Sequence, residues 1–568
     1  MPQKNFMNYN NIDFSSWEKL QKYFDELINR PIHSYNDYLQ FIFDWNALLS
    51  VISEEGGWRY INMTCHTNDE TLKQKYLHFV TEIEPHLQIE QNKINKKTFE
   101  SPFFKSLPDS EFSVFKKNIK KDIELFREKN VPLFTKIQEL QQQYAEISGQ
   151  QTITYEGKTL TLQQASIYLK NKDRNIRKEV YYLINERRKQ DEEKLNKLLD
   201  ELIKLRHQVA QNAGFENFRD YMHAALGRYD YTVNDCKQFH SSVEKSVVPV
   251  VEEIHNIRQK KLNLVNDYFP WDTQVDMYGL EPLKPFNTEE EFIQKSIECF
   301  NKIDPFFADC LKQMNELKRL DLSSRVGKAP GGYQYPLYNS GVPFIFMNAV
   351  GLHRDLVTLM HETGHAVHFF LNNHYPVLDF KSPPSEVAEL ASMSMELITM
   401  EHWDVFFTDK KDLLRAKQQQ LESVIDSLPW IAAIDKFQHL LYENPEHTLE
   451  ERYNYWLQTI QSLSAKNISF KGIEHFLKIR WQAQLHIFEV PFYYIEYGFA
   501  QLGAIAIWKN YKENPKQTIE QYKAALSLGN TKPIPEIYKT AGIQFNFSQT
   551  YIKELTDFVW KEYEKCLL

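Results

Sequence analysis

Two histidines four residues apart, His361 and His365, enclose Glu362 in the segment HETGH. On a helix this spacing sets both imidazoles on one face, about one turn apart, which suits two corners of a tetrahedral zinc site. Glu362 lies one residue on and cannot point the same way. It can reach a water acidified by the metal, which is where a general base must sit. The chemistry these residues suggest is metal-assisted hydrolysis. Leu356, Val357, Leu359 and Met360 precede the segment, and Ala366, Val367, Phe369 and Phe370 follow it. The helix therefore reads as buried, where two imidazoles without partners are costly. Gly364 costs a helix ~1 kcal/mol relative to Ala. Close approach of another backbone explains its presence.

Zinc needs a third protein ligand and an open fourth position. The H-x-x-G-x-x-H extension of another zinc-peptidase class is absent, because His368 stands where its Gly would be and Leu371 where its third His would be. His368 reads as a packing or substrate-facing residue, since a fourth ligand would close the site. The segment 385–396 (SEVAELASMSME) offers Glu386, Glu389 and Glu396, all within reach of one helix face. Apolar neighbours such as Val387, Leu390 and Met395 predict burial of that face, and buried carboxylates call for a cation. A hydrolytic site also needs a donor for the developing oxyanion. The segment 486–503 is dense in candidates: His486, Tyr493, Tyr494 and Tyr497.

The elements that must position these groups read as helices. The chain has 568 residues, enough for more than one lobe, and only 18 glycines. Phe41, Trp45, Leu48, Leu49 and Ile52 recur at helical spacing, as do Leu125, Phe126, Leu133, Ile137 and Leu140 around Pro132. Ser15 to Glu18 has capping-box spacing. Residues 152–162 alternate around Glu156-Gly157 and predict a β-hairpin. A charged helical stretch follows from Leu162 to Gly214, with Asp173, Arg174, Arg177 and Glu179 read as solvated. Residues 230–320 read as helical, broken near Pro270, Pro282 and Pro285. Residues 327–341 read as a Gly-, Pro- and Tyr-rich loop, and Phe344 to Met347 as a short strand. Residues 385–405, 411–443, 449–463, 471–485 and 495–512 read as helices.

The net charge of −9 carries no basic stripe of the kind nucleic-acid binding needs. No apolar run approaches a membrane span, and the N-terminus MPQKNFMNYNN lacks the apolar core of a signal peptide. The five cysteines, Cys65, Cys236, Cys299, Cys310 and Cys566, form no C-x-x-C pair. A reducing, cytoplasmic setting is expected.

HETGHAVHFF followed by ELASMSME resembles the thimet oligopeptidase, neurolysin and oligopeptidase F family of zinc peptidases, in particular its bacterial oligoendopeptidase F branch. Pro330 to Tyr333, Pro343 to Asn348 and Asp355 to Leu359 are similar to that family's loop, edge strand and helix entry. The resemblance spans about residues 150–560. It implies a mainly α, two-lobed helical zincin fold of neurolysin type, with a central substrate channel and a few short strands. An N-terminal helical lobe is expected over 1–165 and a catalytic zinc metallopeptidase domain over 166–568. One Zn2+ per chain is implied, held by His361, His365 and Glu389, with Glu396 orienting a ligating histidine. Tyr497 is implied as the oxyanion donor, with Tyr494 or Tyr493 open in its place and His486 beside the substrate. Gly331, Gly332, Tyr333, Phe346 and Tyr493 are expected to meet an extended peptide, added alongside the strand at 344–348. Short peptides are the implied substrates, cut at internal bonds. A carboxypeptidase or dipeptidyl-carboxypeptidase on the same scaffold, and an inactive peptide-binding protein, stand as the alternatives.

Overall fold

The computed structural model describes Tyr9 and residues 12–568. The N-terminal stretch MPQKNFMNYNN lies, Tyr9 apart, outside them. Helices dominate the described residues. Strands are few and short: β1 (Thr152–Tyr155), β2 (Lys158–Thr161), β3 (Leu320–Ser323), β4 (Tyr333–Tyr335) and β5 (Phe344–Ala349). The fold is therefore mainly α, as expected. Two units emerge, each assembled from three stretches of chain rather than from one cut between 165 and 166. The first joins Met1–Glu128, Lys284–Leu413 and Gly503–Phe545; the second joins Lys129–Leu283, Leu414–Leu502 and Asn546–Leu568. Among the described residues no helix is long and apolar enough to cross a membrane.

In the first unit, Phe41, Trp45, Leu48 and Ile52 lie on one face of the helix Tyr35–Cys65, as their spacing predicts. They share a core with Leu20, Phe24, Phe112, Phe115 and Phe380. That helix starts with a capping box, the Ser34 hydroxyl accepting from the Asp37 N–H while the Asp37 carboxylate accepts from the Ser34 N–H. The box expected at Ser15 does not form. The first helix starts at Trp17 with Ser16 as its N-cap, and the Ser15 N–H donates to Asp13 instead.

The three-stranded sheet has the order β3-β5-β4, with β3 parallel and β4 antiparallel to β5. The expected edge strand is thus the central one, which its wholly buried run Phe344–Met347 explains. The edges are β3 and β4, and β4 is three residues inside the stretch expected to be irregular loop. Its turn residues masked it; pairing of Gln334 with Ile345 makes it a strand.

In the second unit the β1–β2 hairpin forms where expected, with Glu156 and Gly157 at φ of 50° and 75°, the two positive values a two-residue turn needs. The charged stretch 162–214 is not one helix. It divides into Leu162–Ser166, Arg174–Lys189 and Glu192–Ala213, the last stopped by Gly214 at φ 92°. Arg177 is not solvated: it is buried and donates to the fully buried Asp272 at 2.8 Å, which Arg174 also meets. Asp173 and Glu179 are exposed. The helix expected at 471–485 breaks into the short turns Glu474–Lys478, Arg480–Ala483 and Leu485–Phe488, and that expected at 385–405 stops at Met400.

Candidate metal centre

HETGH lies in the helix His353–Asn372, and the three candidate glutamates lie in the helix Ser385–Met400. The two helices meet backbone to backbone at Gly364. A Cβ there would stand 2.6 Å from the Ser392 Cα and 2.9 Å from the Ala391 carbonyl oxygen. Only glycine fits, and the close crossing delivers Glu389 to the histidines. Glu389 Oε2 lies 3.3 Å from His361 Nε2 and 3.6 Å from His365 Nε2. A tetrahedral ion with bonds of ~2.0–2.1 Å holds neighbouring ligand atoms ~3.3–3.4 Å apart, so the three donors fit a zinc-sized cation.

The surroundings fix each donor. His361 Nδ1 donates to Glu396 Oε1 at 2.6 Å, leaving Nε2 turned to the centre. The His365 ring hydrogen-bonds the main chain of Ala388. The Ser392 hydroxyl donates to Glu389 Oε2 at 3.0 Å. Glu386 is buried outside this cluster.

The electrostatics favour a cation. Burial alone would lower His361, but Glu389 and Glu396 outweigh it and hold that imidazole well above its ordinary value. Burial pushes His365 down to about 4. Burial opposes ionisation of Glu389, yet His365, His361 and Ser392 bring its carboxyl down to about 2. Glu362 is buried beside the ligands, and burial raises its carboxyl to about 7, against the pull of His361 and of a hydrogen bond from the Gln334 main chain. Gln334 is the middle residue of β4, so the edge strand and the candidate base touch. Nothing in the sequence pattern announced this contact. His368 is buried, and its burial lowers the imidazole to about 3, so it packs as a neutral ring.

The expected substrate residues divide. Gly332 sits against Thr358 and the Phe346 carbonyl oxygen, where a Cβ would be 3.3 and 3.4 Å away; Gly331 takes φ 99°. Phe346 is fully buried and Tyr333 stacks on it at 4.8 Å, its hydroxyl 2.6 Å from that of Thr64. Phe346 is therefore a core residue, corrected from its expected place at the substrate. In the second unit, His486, Tyr493, Tyr494 and Tyr497 form one aromatic group. The His486 ring lies 4.5 Å from Tyr494 and 6.0 Å from Tyr497, and Tyr493 and Tyr494 each lie 5.5 Å from Tyr497. Phe492, at a left-handed φ of 68°, turns the chain between them, its N–H held by Gln438.

A helical fold carrying two histidines and a glutamate at zinc-ligand separations, beside a buried second glutamate, has the make-up of a metal-dependent peptidase. The chain belongs to peptidase family M3: that family's profile matches residues 167–557, and the Peptidase M3 N-terminal domain matches residues 6–126. Within the family it falls among oligoendopeptidase F relatives. The oligoendopeptidase F homolog of Borreliella burgdorferi is 25% identical over 390 residues, which cover 66% of this chain and 62% of that protein. Oligopeptidase PepF of Bacillus subtilis is 22% identical over 299 residues, 52% of this chain and 44% of that one. The solved structure of PZ peptidase A with an inhibitor superposes with a TM-score of 0.91 at 26% identity, covering 98% of each chain.

Proposed function

We propose that this chain is a zinc-dependent oligoendopeptidase that hydrolyses internal bonds of short peptides. The observation that carries the reading is the placement of Glu389 Oε2 at 3.3 and 3.6 Å from the two histidine nitrogens, with Glu362 buried alongside. His361, His365 and Glu389 would hold one Zn2+ per chain, which when bound would supply Lewis acidity and acidify water.

The chain's own residues do the rest. Glu362 takes the proton of the attacking water and passes it to the leaving amine. Glu396 holds the Nδ1 proton of His361 and so fixes which nitrogen faces the centre. The main chain of β4, entered through Gly331 and Gly332, hydrogen-bonds an extended peptide, giving grip with little side-chain demand. The family resemblance implies Tyr497 as the oxyanion donor, with Tyr494 and Tyr493 as the other candidates and His486 in the same aromatic group. The five buried thiols, none in a disulfide, suit a reducing compartment, and the cytoplasm is the assigned location.

The test is Glu362→Gln, with bound zinc and peptide turnover measured together. The expected result is unchanged zinc and a loss of kcat of about 10³-fold or more. Turnover equal to wild type with one zinc bound would overturn the mechanism. Peptides with amidated C-termini are expected to be cut as well as free ones. Stalling on them would make the protein a carboxypeptidase instead.

A further inference from the structure

One cavity of the first unit, about 470 Å3 in volume, has no part in the chemistry above. That size lies in the range of small-ligand pockets, ~300–1,000 Å3. Its walls are aromatic and its interior holds one carboxyl. Tyr60 of the helix Tyr35–Cys65 stands between Tyr76, with ring centres 5.7 Å apart, and Tyr335, at 5.8 Å. Phe79 closes another side and Glu84 reaches in.

The sequence gives up helix stability to build it. Gly56 and Gly57 lie inside a helix of 31 residues, where each weakens the helix relative to Ala. A Cβ on Gly56 would stand 2.8 Å from the Phe79 ring, and one on Gly57 2.5 Å from the Tyr335 ring. The two glycines admit the rings that form the walls. Phe79 opens a single π-helical turn, Phe79–Ile83, a feature frequent at functional sites. Glu84 follows that turn directly.

The pocket also joins the reactive centre through the chain. Tyr335 is the last residue of β4, and Gln334 beside it bonds Glu362 through its main chain. A peptide paired with β4 points alternate side chains to opposite faces of the sheet. One set of them falls on the face where the Tyr335 ring meets Tyr60.

Resting on the endopeptidase reading, we infer that this pocket takes a basic side chain, arginine or lysine, of the bound peptide. The methylene stem packs on the apolar walls, and the cationic head sits among the tyrosine faces within reach of Glu84. An apolar side chain would strip water from the carboxyl and return nothing, whereas a cation offsets that desolvation. Burial alone raises the Glu84 carboxyl, and no basic neighbour contributes to its shift. Burial, with the Glu84 charge behind it, lifts Tyr76 to about 12.

The experiment walks arginine, norleucine or glutamate along an otherwise constant peptide with an amidated C-terminus. At one position, kcat/KM for arginine should exceed that for norleucine about tenfold, a factor within the reach of one ion pair plus ring contacts. Glu84→Gln should bring that ratio close to one, and Glu84→Lys should turn the preference to glutamate. A ratio at or below one at every position, or one that Glu84→Gln leaves intact, overturns the inference. Calorimetric binding of the same peptides to the Glu362→Gln protein reads the pocket without turnover. Tighter binding of the arginine peptide there, with no hydrolysis by wild type, would sink the peptidase reading and keep the pocket; equal affinities would sink the pocket alone.

Discussion

Among the described residues, each unit holds one histidine–carboxylate–histidine triad. In the first, Glu389 stands 3.3 and 3.6 Å from His361 and His365. In the second, Asp435 Oδ2 stands 2.7 Å from His240 Nε2 and 3.1 Å from His439 Nε2. The shorter pair are N–H···O separations, tighter than the ~3.3–3.4 Å between neighbouring ligands of a tetrahedral zinc ion. The supports differ as well. The first triad has Glu396 on the far nitrogen of His361 and Glu362 beside it. In the second, among the described residues, His439 Nδ1 and Asp435 Oδ1 are buried without a hydrogen-bond partner. Asp435 and His439 lie one turn apart on the helix Lys410–Glu443, and His240 lies on the helix Val233–Ser246. The second triad is a buried clasp between two helices. The same residue types make the proposed metal centre in one place and a buried contact between helices in the other, and ligand spacing with outer support separates the two.

The sharpest break of this comparison is at the carboxylates. Glu389→Gln should cost nearly all bound zinc and about 10³-fold or more of peptide turnover, because the site loses its only charged ligand. Asp435→Ala should leave zinc at one per chain by elemental analysis. A second zinc in wild type that disappears in Asp435→Ala would make both triads metal centres. The effect of Asp435→Ala belongs to stability instead. Removing one partner of a buried charged contact costs ~3 kcal/mol, read by denaturant unfolding of the second unit.

The clasp also has a pH signature. Burial lowers His240 against the pull of Asp435. Burial opposes ionisation of Asp435, but His439 and His240 outweigh it and hold its carboxyl below the usual range. Both groups bind protons more weakly folded than unfolded, so their stabilisation is complete above the unfolded values and lost as pH falls. The loss starts near ~6.5 for His240 and near ~3.9 for Asp435. Asp435→Ala keeps the burial that lowers His240 and removes the carboxylate that raises it. The variant therefore loses more stability than wild type as pH falls, and the gap between them should be wider at pH 5 than at pH 7.5. An equal gap at both would assign it to packing alone.

What was legible in the sequence was what local spacing encodes. His361, Glu362 and His365 follow from one helical turn, and Gly364 from its cost in a buried helix. The hairpin at Glu156-Gly157 follows from two residues that accept positive φ. Glu389 needed the family resemblance, since Glu386 and Glu396 share its neighbourhood in sequence. The features that stayed hidden are set by contacts distant along the chain. Arg177 reads as one more surface charge until Asp272, 95 residues on, is folded against it. β5 reads as an edge until β3 and β4 take its two sides. His240 and His439 are 199 residues apart and have no motif to join them.

The smallest effect tests the outer support that separates the two triads. Glu396 contributes a charge and a hydrogen-bond acceptor to His361, and these can be pulled apart. In Glu396→Gln the amide oxygen still accepts from Nδ1, so the ring keeps its orientation while the charge is lost. In Glu396→Ala both are lost. Outer-shell changes of this kind weaken metal binding about 10- to 100-fold. Competition with a chelator should place Glu396→Gln toward the mild end and Glu396→Ala toward the severe end, with kcat reduced less than in Glu389→Gln. Equal zinc affinity in wild type and Glu396→Ala would mean that the 2.6 Å contact positions nothing, and that Glu389 spacing alone distinguishes the metal centre from the clasp.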